Sequence, residues 1–168
     1  MIETEIVIRG LTKADLRKAG GVIRRASLPH LKAQGLPDET IREIVANRPQ
    51  KLAAKALGNT FFVAEDVNRK KIVGVIGLRK DDGSNIPNRL STFYTDPEYQ
   101  GKGIGRMLYE KIREEAIKNG CQKLVVSSSP YAESIYEHFG FKKTRVEWKE
   151  FENGSRTHNI WMEQDLRS

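Results

Sequence analysis

A single cysteine, Cys121, among 168 residues excludes an intramolecular disulfide framework and a cysteine-rich metal site. It reads as a small residue packed before a strand. No apolar run approaches the ~20 residues that a membrane span requires. The segment Met1-Ile2-Glu3-Thr4-Glu5 is acidic where a secretory leader would be basic and then apolar. A soluble, cytoplasmic protein with no membrane partner is the expectation. Repeats and low-complexity tracts are missing too, so one ordinary domain over residues 1–168 is expected, able to bury roughly 70% of its unfolded surface. Acidic residues are the minority, 22 against 29 lysines and arginines, for a formal charge of +7. Much of the excess lies early, where Lys13, Arg17, Lys18, Arg24, Arg25 and Lys32 face only Asp15. This stretch reads as a solvated helix face or as a surface that attracts an acidic substrate or an RNA-bound partner.

Periodicity gives a coarse element order. Glu5 to Arg9 alternates as a strand, and Thr12 with Asp15 resembles a capping box opening a helix toward Ala26. Gly20-Gly21 weakens that helix by roughly 2 kcal/mol relative to alanines, which predicts a break or a close backbone approach. His30 then falls on a loop after Pro29. Pro37 starts a second helix through Ile41, Ile44 and Val45, and a third piece covers Gln50 to Leu57 and stops at Gly58. Phe61–Glu65 and Ile72–Leu78 read as hairpin strands turning near Asn68, Asp81–Asn88 as a loop, and Leu90–Thr95 as a strand. A helix follows from Gly105, with Ile104, Met107, Leu108, Ile112 and Ala116 as its core face and Asn119-Gly120 as its stop. Lys123 to Ser129 forms the next strand, Tyr131 to Phe139 a helix, and Val146–Phe151 with Thr157–Glu163 a hairpin turning at Asn153-Gly154.

The stretch from Tyr94 to Arg106, YTDPEYQGKGIGR, ends a strand, turns through glycines and opens a helix. Free amides at a helix N-terminus carry roughly half a positive charge, so such a turn is an anion cradle. A Walker A loop is excluded because no Ser or Thr follows Lys102, and the dinucleotide fingerprint G-x-G-x-x-G would end on Arg106 or Leu108. What remains, Gln100-x-x-Gly103-x-Gly105, resembles the Arg/Gln-x-x-Gly-x-Gly/Ala signature of the GNAT family of N-acetyltransferases. Ala132, Tyr136, Gly140 and Phe141 follow at that family's spacing, and the resemblance is close over Arg89 to Phe141.

The resemblance implies an α+β fold with a mixed central β-sheet flanked by helices and two splayed strands forming the acetyl-CoA cleft. It implies acetyl-CoA as cosubstrate and no metal. The pantetheine arm would run along the main chain of Phe93, Tyr94 and Thr95, like an added strand. The pyrophosphate would rest on the amides of Gly101, Lys102, Gly103, Ile104, Gly105 and Arg106, with Gln100 orienting the turn and Ser129 standing near a pantetheine contact. The basic side chains of Lys102, Arg106, Lys142 and Lys143 near these motifs would account for part of the charge. Tyr136 matches the family's general acid, and the alternative is a tyrosine packing helix onto sheet.

The general base stays open. Some relatives carry a glutamate eleven residues before the motif glutamine, and here that place is Arg89, which cannot take a proton at neutral pH. A water, Glu65, Tyr94 or His30 are the remaining candidates. Arg145, Trp148 and Trp161 are candidates for the acceptor groove, the tryptophans reading also as packing for the sheet or a homodimer interface. The implied activity is direct acetyl transfer to a primary amine of a small metabolite, peptide or protein. Two readings compete with it. One is a non-catalytic acyl-CoA-binding sensor or interaction module, motivated by Arg89. The other is a basic nucleic-acid or ribosome-associated protein, disfavoured because the Lys13 to Lys32 segment lacks interleaved aromatics.

Overall fold

A computed structural model describes residues 2–80 and 88–167. Strands β1 (Ile6–Gly10), β2 (Thr60–Asp66), β3 (Lys71–Arg79), β4 (Arg89–Thr95), β5 (Lys123–Ser128), β6 (Lys142–Glu150) and β7 (Arg156–Asp165) form one sheet in the order β1-β2-β3-β4-β5-β7-β6. Every neighbouring pair is antiparallel except β4 and β5. Helices α1 (Leu16–Ala33), α2 (Asp38–Ala46) and α3 (Arg48–Ala56) precede β2, α4 (Ile104–Lys118) joins β4 to β5, and α5 (Glu133–His138) follows β5. This is the mixed, helix-flanked α+β sheet expected from the sequence. The loop read over Asp81–Asn88 lies, apart from Asn88, outside the described residues. No described helix is long and apolar enough to cross a membrane.

The two faces of the sheet carry separate cores. On one, Leu108, Ile112 and Ala116 of α4 pack with Val73, Leu90, Val126 and Met162. On the other, Ala19, Val22 and Ile23 of α1 and Leu52 of α3 pack with Phe61, Val63 and Val75. Alternation along strands decides which side chain goes where, except in β3, where the bulge at Val73 opposite Ala64 and Glu65 puts Val73 and Val75, two residues apart, on opposite faces. Gly74 lets α4 approach, since a Cβ there would come within 2.7 Å of Leu108 and 3.3 Å of Ile104.

Four features differ from expectation. α1 runs through Gly20-Gly21 without a break, because its buried face against the sheet outweighs the glycine cost, and it carries Pro29 inside. His30 therefore sits in the last turns of α1, not on a loop. Met107 is 38% exposed, while Tyr109, one residue beyond Leu108, turns into the core instead. α5 is shorter than the Tyr131–Phe139 reading.

Candidate functional site

β4 and β5 begin side by side, paired at Arg89 with Val125 and at Leu90 with Val126, and then part. β4 stays with β3 as far as Thr95 opposite Gly74, whereas β5 follows β7 as far as Ser128 opposite Ile160. The gap between them opens into a cleft of about 710 Å³. Among the described residues, backbone groups of β4 beyond Leu90 consequently have no partner strand on that side, which is the arrangement an extended ligand can complete.

A bulge sets what β4 presents to this gap. Between Val75–Tyr94 and Gly77–Ser91 the β4 strand contains one extra residue, and Thr92 takes φ +57°. A β-branched residue in the left-handed region is strained, so the packing around it enforces the bulge. As a result Leu90 and Phe93 face the α4 core, and Tyr94 turns to the α1 and α3 side.

The glycine turn stands at one end of the cleft. A short 3₁₀ turn, Pro97–Tyr99, leads from β4 to it. Both ends of that turn are pinned. The buried Asp96 carboxylate accepts from the Glu98 amide at 3.1 Å and from Arg25 Nη2 at 2.8 Å, and the Tyr99 hydroxyl donates to Asp66 Oδ2 at 2.8 Å. Burial alone would push the Asp66 carboxyl up. The hydrogen bonds from Tyr99 and Arg69 outweigh it and hold the group below its usual range. Gly101 and Gly103 then adopt φ +79° and +78°, which side chains resist. An added Cβ at either would meet nothing within 4 Å, and at Gly105 would meet Phe93 and Thr95 at ordinary contact distance, 3.8 Å. The Met107 amide is the first to find a carbonyl, that of Gly103 at 3.1 Å. The amides of Ile104, Gly105 and Arg106 thus project from the N-terminus of α4 into open space, a donor set suited to phosphate oxygens.

Of the residues singled out from the sequence, Gln100, Gly101, Gly103, Ile104, Gly105, Phe93, Tyr94, Thr95, Ser129 and Tyr136 border the cleft. The side chains of Lys102 and Arg106 do not. Lys102 lies over the Tyr99 ring at 4.9 Å, and Arg106 lies over Phe139 at 5.5 Å and within 3.1 Å of His138 Nε2. Tyr136 is buried at the cleft wall, its ring 6.1 Å from that of Phe93 and edge-on to Phe141 at 5.4 Å. Burial, with the nearby Tyr94 hydroxyl, raises its phenol far above the ordinary value. Its hydroxyl therefore keeps its proton at neutral pH. β5 ends at Ser128, one residue short of the strand expected, and Ser129 follows it, its carbonyl accepting from Ser128 Oγ at 2.7 Å.

The candidate bases separate on geometry. Glu65 does not border the cleft and is held by Arg9 Nε at 2.9 Å. The Tyr94 hydroxyl accepts from Arg48 Nη1, and His30 borders the cleft beside the Tyr131 ring at 5.3 Å. Arg145, Trp148 and Trp161 are not in the cleft. Trp161 is buried under the Arg145 and Arg89 guanidiniums, and Trp148 is exposed on β6 beside His158. On that edge of the molecule, the hairpin of β6 and β7 meets the helical layer instead through Thr157 to Gln34 and Asn153 to Thr40. Sequence reading also missed Arg25, taken for a solvated charge, because nothing local announces that it reaches Asp96, 71 positions away.

Comparison with known proteins places this architecture. Residues 27–163 match the acetyltransferase (GNAT) domain family. An N-acetylaspartate synthetase of Xenopus tropicalis is 33% identical over 95 residues, covering 55% of this chain and 34% of the relative. A glucosamine 6-phosphate N-acetyltransferase of Trypanosoma brucei brucei is 30% identical over 60 residues, covering 36% and 41%. The chain thus spans about half or less of the length of these curated relatives. Among solved structures, a GCN5-related N-acetyltransferase of Rhodopseudomonas palustris aligns with TM-score 0.78 at 21% identity, covering 98% of both chains. The PaiA N-acetyltransferase of Thermoplasma acidophilum, solved with coenzyme A, aligns with TM-score 0.74 at 21% identity over 96% of this chain and 99% of that one. With a family match over most of its length and a fold shared with these neighbours, the chain belongs to the GNAT acetyltransferase family.

Proposed function

We propose that residues 1–168 form one N-acetyltransferase domain that moves the acetyl group of acetyl-CoA directly to a primary amine. The observation that carries this is the open amide cradle at α4, set at the mouth of the β4–β5 gap with a protonated phenol in the wall. The relatives are named for an N-acetylated amino acid and an N-acetylated amino sugar phosphate, which supports an amine acceptor. The cosubstrate supplies an activated thioester.

The chain's own groups then have the following roles. The amides of Gly101, Lys102, Gly103, Ile104, Gly105 and Arg106 hold the pyrophosphate, and Gln100 orients the turn. The main chain of Phe93, Tyr94 and Thr95 pairs with the pantetheine arm, and Ser129 contacts it from just beyond β5. As the new N–C bond forms and the C–S bond breaks, Tyr136 gives its proton to the departing sulfur. The acceptor nitrogen releases its proton to water; Glu65 is tied to Arg9 away from the cleft and Arg89 cannot take a proton, which leaves His30 and Tyr94, both bordering the cleft, as the side-chain alternatives.

Isothermal titration with acetyl-CoA, with ATP and NAD as controls, followed by a free-thiol assay against amines, tests the proposal. Saturable binding of acetyl-CoA alone and thiol release on adding an amine are expected. Binding without release against any amine would favour the acyl-CoA-binding module, and no binding at millimolar acetyl-CoA would refute the cradle.

A further inference from the structure

Charge is divided unevenly within the cleft. Away from the glycine turn, α3 lines it with Arg48, Lys51 and Lys55, at positions i, i+3 and i+7 of one helix face. Arg89, at the start of β4, and Lys149, from β6, border the same cleft. Glu43 is the one carboxylate that borders it among the described residues. The Arg48 guanidinium lies over the Tyr94 ring at 5.5 Å, and its buried Nε has no hydrogen-bond partner among the described residues. Lys51 and Lys55 have no ion-pair partner among the described residues. Lys55 is half-buried. Burial, with the charges of Arg79, Arg89, Arg48 and Lys51, pushes its amine down to about 8.

Cations gathered in a recess repel one another, and a buried guanidinium nitrogen without an acceptor is costly. An anion seated among them relieves both. Phosphates on the α4 amides are poorly placed to reach Lys55, which feels the charge of Arg89 at the start of β4, about 20 Å from Thr95 at 3.3 Å per residue, while Arg48 reaches toward the other end of that strand, over Tyr94.

We infer that this half of the cleft receives an acceptor amine that carries a carboxylate or phosphate group, held by Arg48, Lys51 and Lys55. The inference deepens the acetyl-transfer reading and rests on it. Arg48 offers a planar fork to such an oxyanion, braced on Tyr94, while the two lysines supply point charges from the neighbouring turns. The amine end of the same molecule is then left facing the β4–β5 gap.

The test compares matched acceptors on the whole protein. Amino dicarboxylic acids are set against their carboxamides, and phosphoethanolamine against ethanolamine, by free-thiol release. The same compounds are titrated calorimetrically into the protein saturated with coenzyme A. The anionic member of at least one pair should have kcat/KM and affinity ten-fold or more above its neutral partner, and which pair does so separates carboxylate from phosphate. In Lys51→Gln and Lys55→Gln, KM for that acceptor should rise about ten-fold with a smaller change in kcat, Lys51→Arg should recover most of the loss, and acetyl-CoA affinity should stay within about two-fold. Turnover of neutral amines equal to or better than the anionic ones would overturn the inference and leave acetyl transfer standing. Loss of acetyl-CoA affinity in the two glutamine variants would also overturn it, by assigning these cations to the coenzyme. If acetyl-CoA itself does not bind the native protein, both readings fall.

Discussion

The two ends of the cleft are built on different principles. At the α4 end the donors are backbone amides, fixed by a 3₁₀ turn, two left-handed glycines and two buried carboxylate anchors, Asp96 and Asp66. At the α3 end they are long side chains on one face of a short helix. A backbone cradle is rigid and cannot be changed by most substitutions, whereas a side-chain cluster can be altered one residue at a time. On the proposed reading, the difference teaches how a common coenzyme and a variable acceptor would share one cleft: the invariant group belongs on main chain and the variable group on side chains.

The largest expected effect breaks the rigid end alone. Gly103→Asp forces a side chain into the left-handed region, at a cost of roughly 1–2 kcal/mol, and puts a carboxylate where the phosphate would rest. Acetyl-CoA affinity should fall about 100-fold or more by calorimetry, with the circular dichroism spectrum unchanged. Tyr136→Phe separates chemistry from binding: kcat should drop about 100-fold while acetyl-CoA affinity changes less than about two-fold. Survival of turnover would make Tyr136 a packing residue.

A third change loosens the cradle without touching it. Arg25→Ala leaves Asp96, 3% exposed, without its guanidinium partner, which costs about 1–3 kcal/mol. Melting temperature and acetyl-CoA affinity should fall together, whereas Arg24→Ala on the exposed side should move neither. The α3 end has its own signature in Lys55. With its amine at about 8, it is about half neutral at pH 8, whereas an ordinary lysine there is almost wholly charged. It should acetylate with a mild anhydride ahead of its neighbours, as read by peptide mass spectrometry.

The smallest effect is a control remote from both ends. Hydrogen bonds from Arg9, against the opposing effect of burial, lower Asp15 from 3.8 to about 2. Its folded state binds protons less readily than the unfolded one, so this contribution is complete above the ordinary carboxylate value and lost as pH falls from 3.8 to about 2. Asp15→Asn should flatten that part of the acid denaturation curve and leave acetyl-CoA binding unchanged.

How much of this was legible in the sequence follows the same division. The cradle could be read because its requirements are local: glycines where φ is positive, a strand before and a helix after, all within thirteen residues. The sheet could be read from the apolar runs Phe61–Glu65 and Ile72–Leu78 with a turn near Asn68 between them, and from the Asn153-Gly154 turn. The bulge at Thr92 could not, since a β-branched residue at positive φ runs against its own preference and is imposed by packing. Nor could the integrity of α1 across Gly20-Gly21, which depends on burial against a sheet formed far along the chain. The α3 cluster was overlooked for a related reason. Arg48, Lys51 and Lys55 look like any solvated helix face until the fold turns that face into the cleft beside Arg89.

One measurement bears most directly on this account: a crystal structure of the protein with coenzyme A. The account predicts the pyrophosphate on the amides of Gly101 to Arg106, the pantetheine paired with Phe93 to Thr95, the sulfur within reach of the Tyr136 hydroxyl, and Arg48, Lys51 and Lys55 untouched by coenzyme. Coenzyme phosphates seated on Arg48, Lys51 or Lys55, with the glycine turn bare, would contradict it.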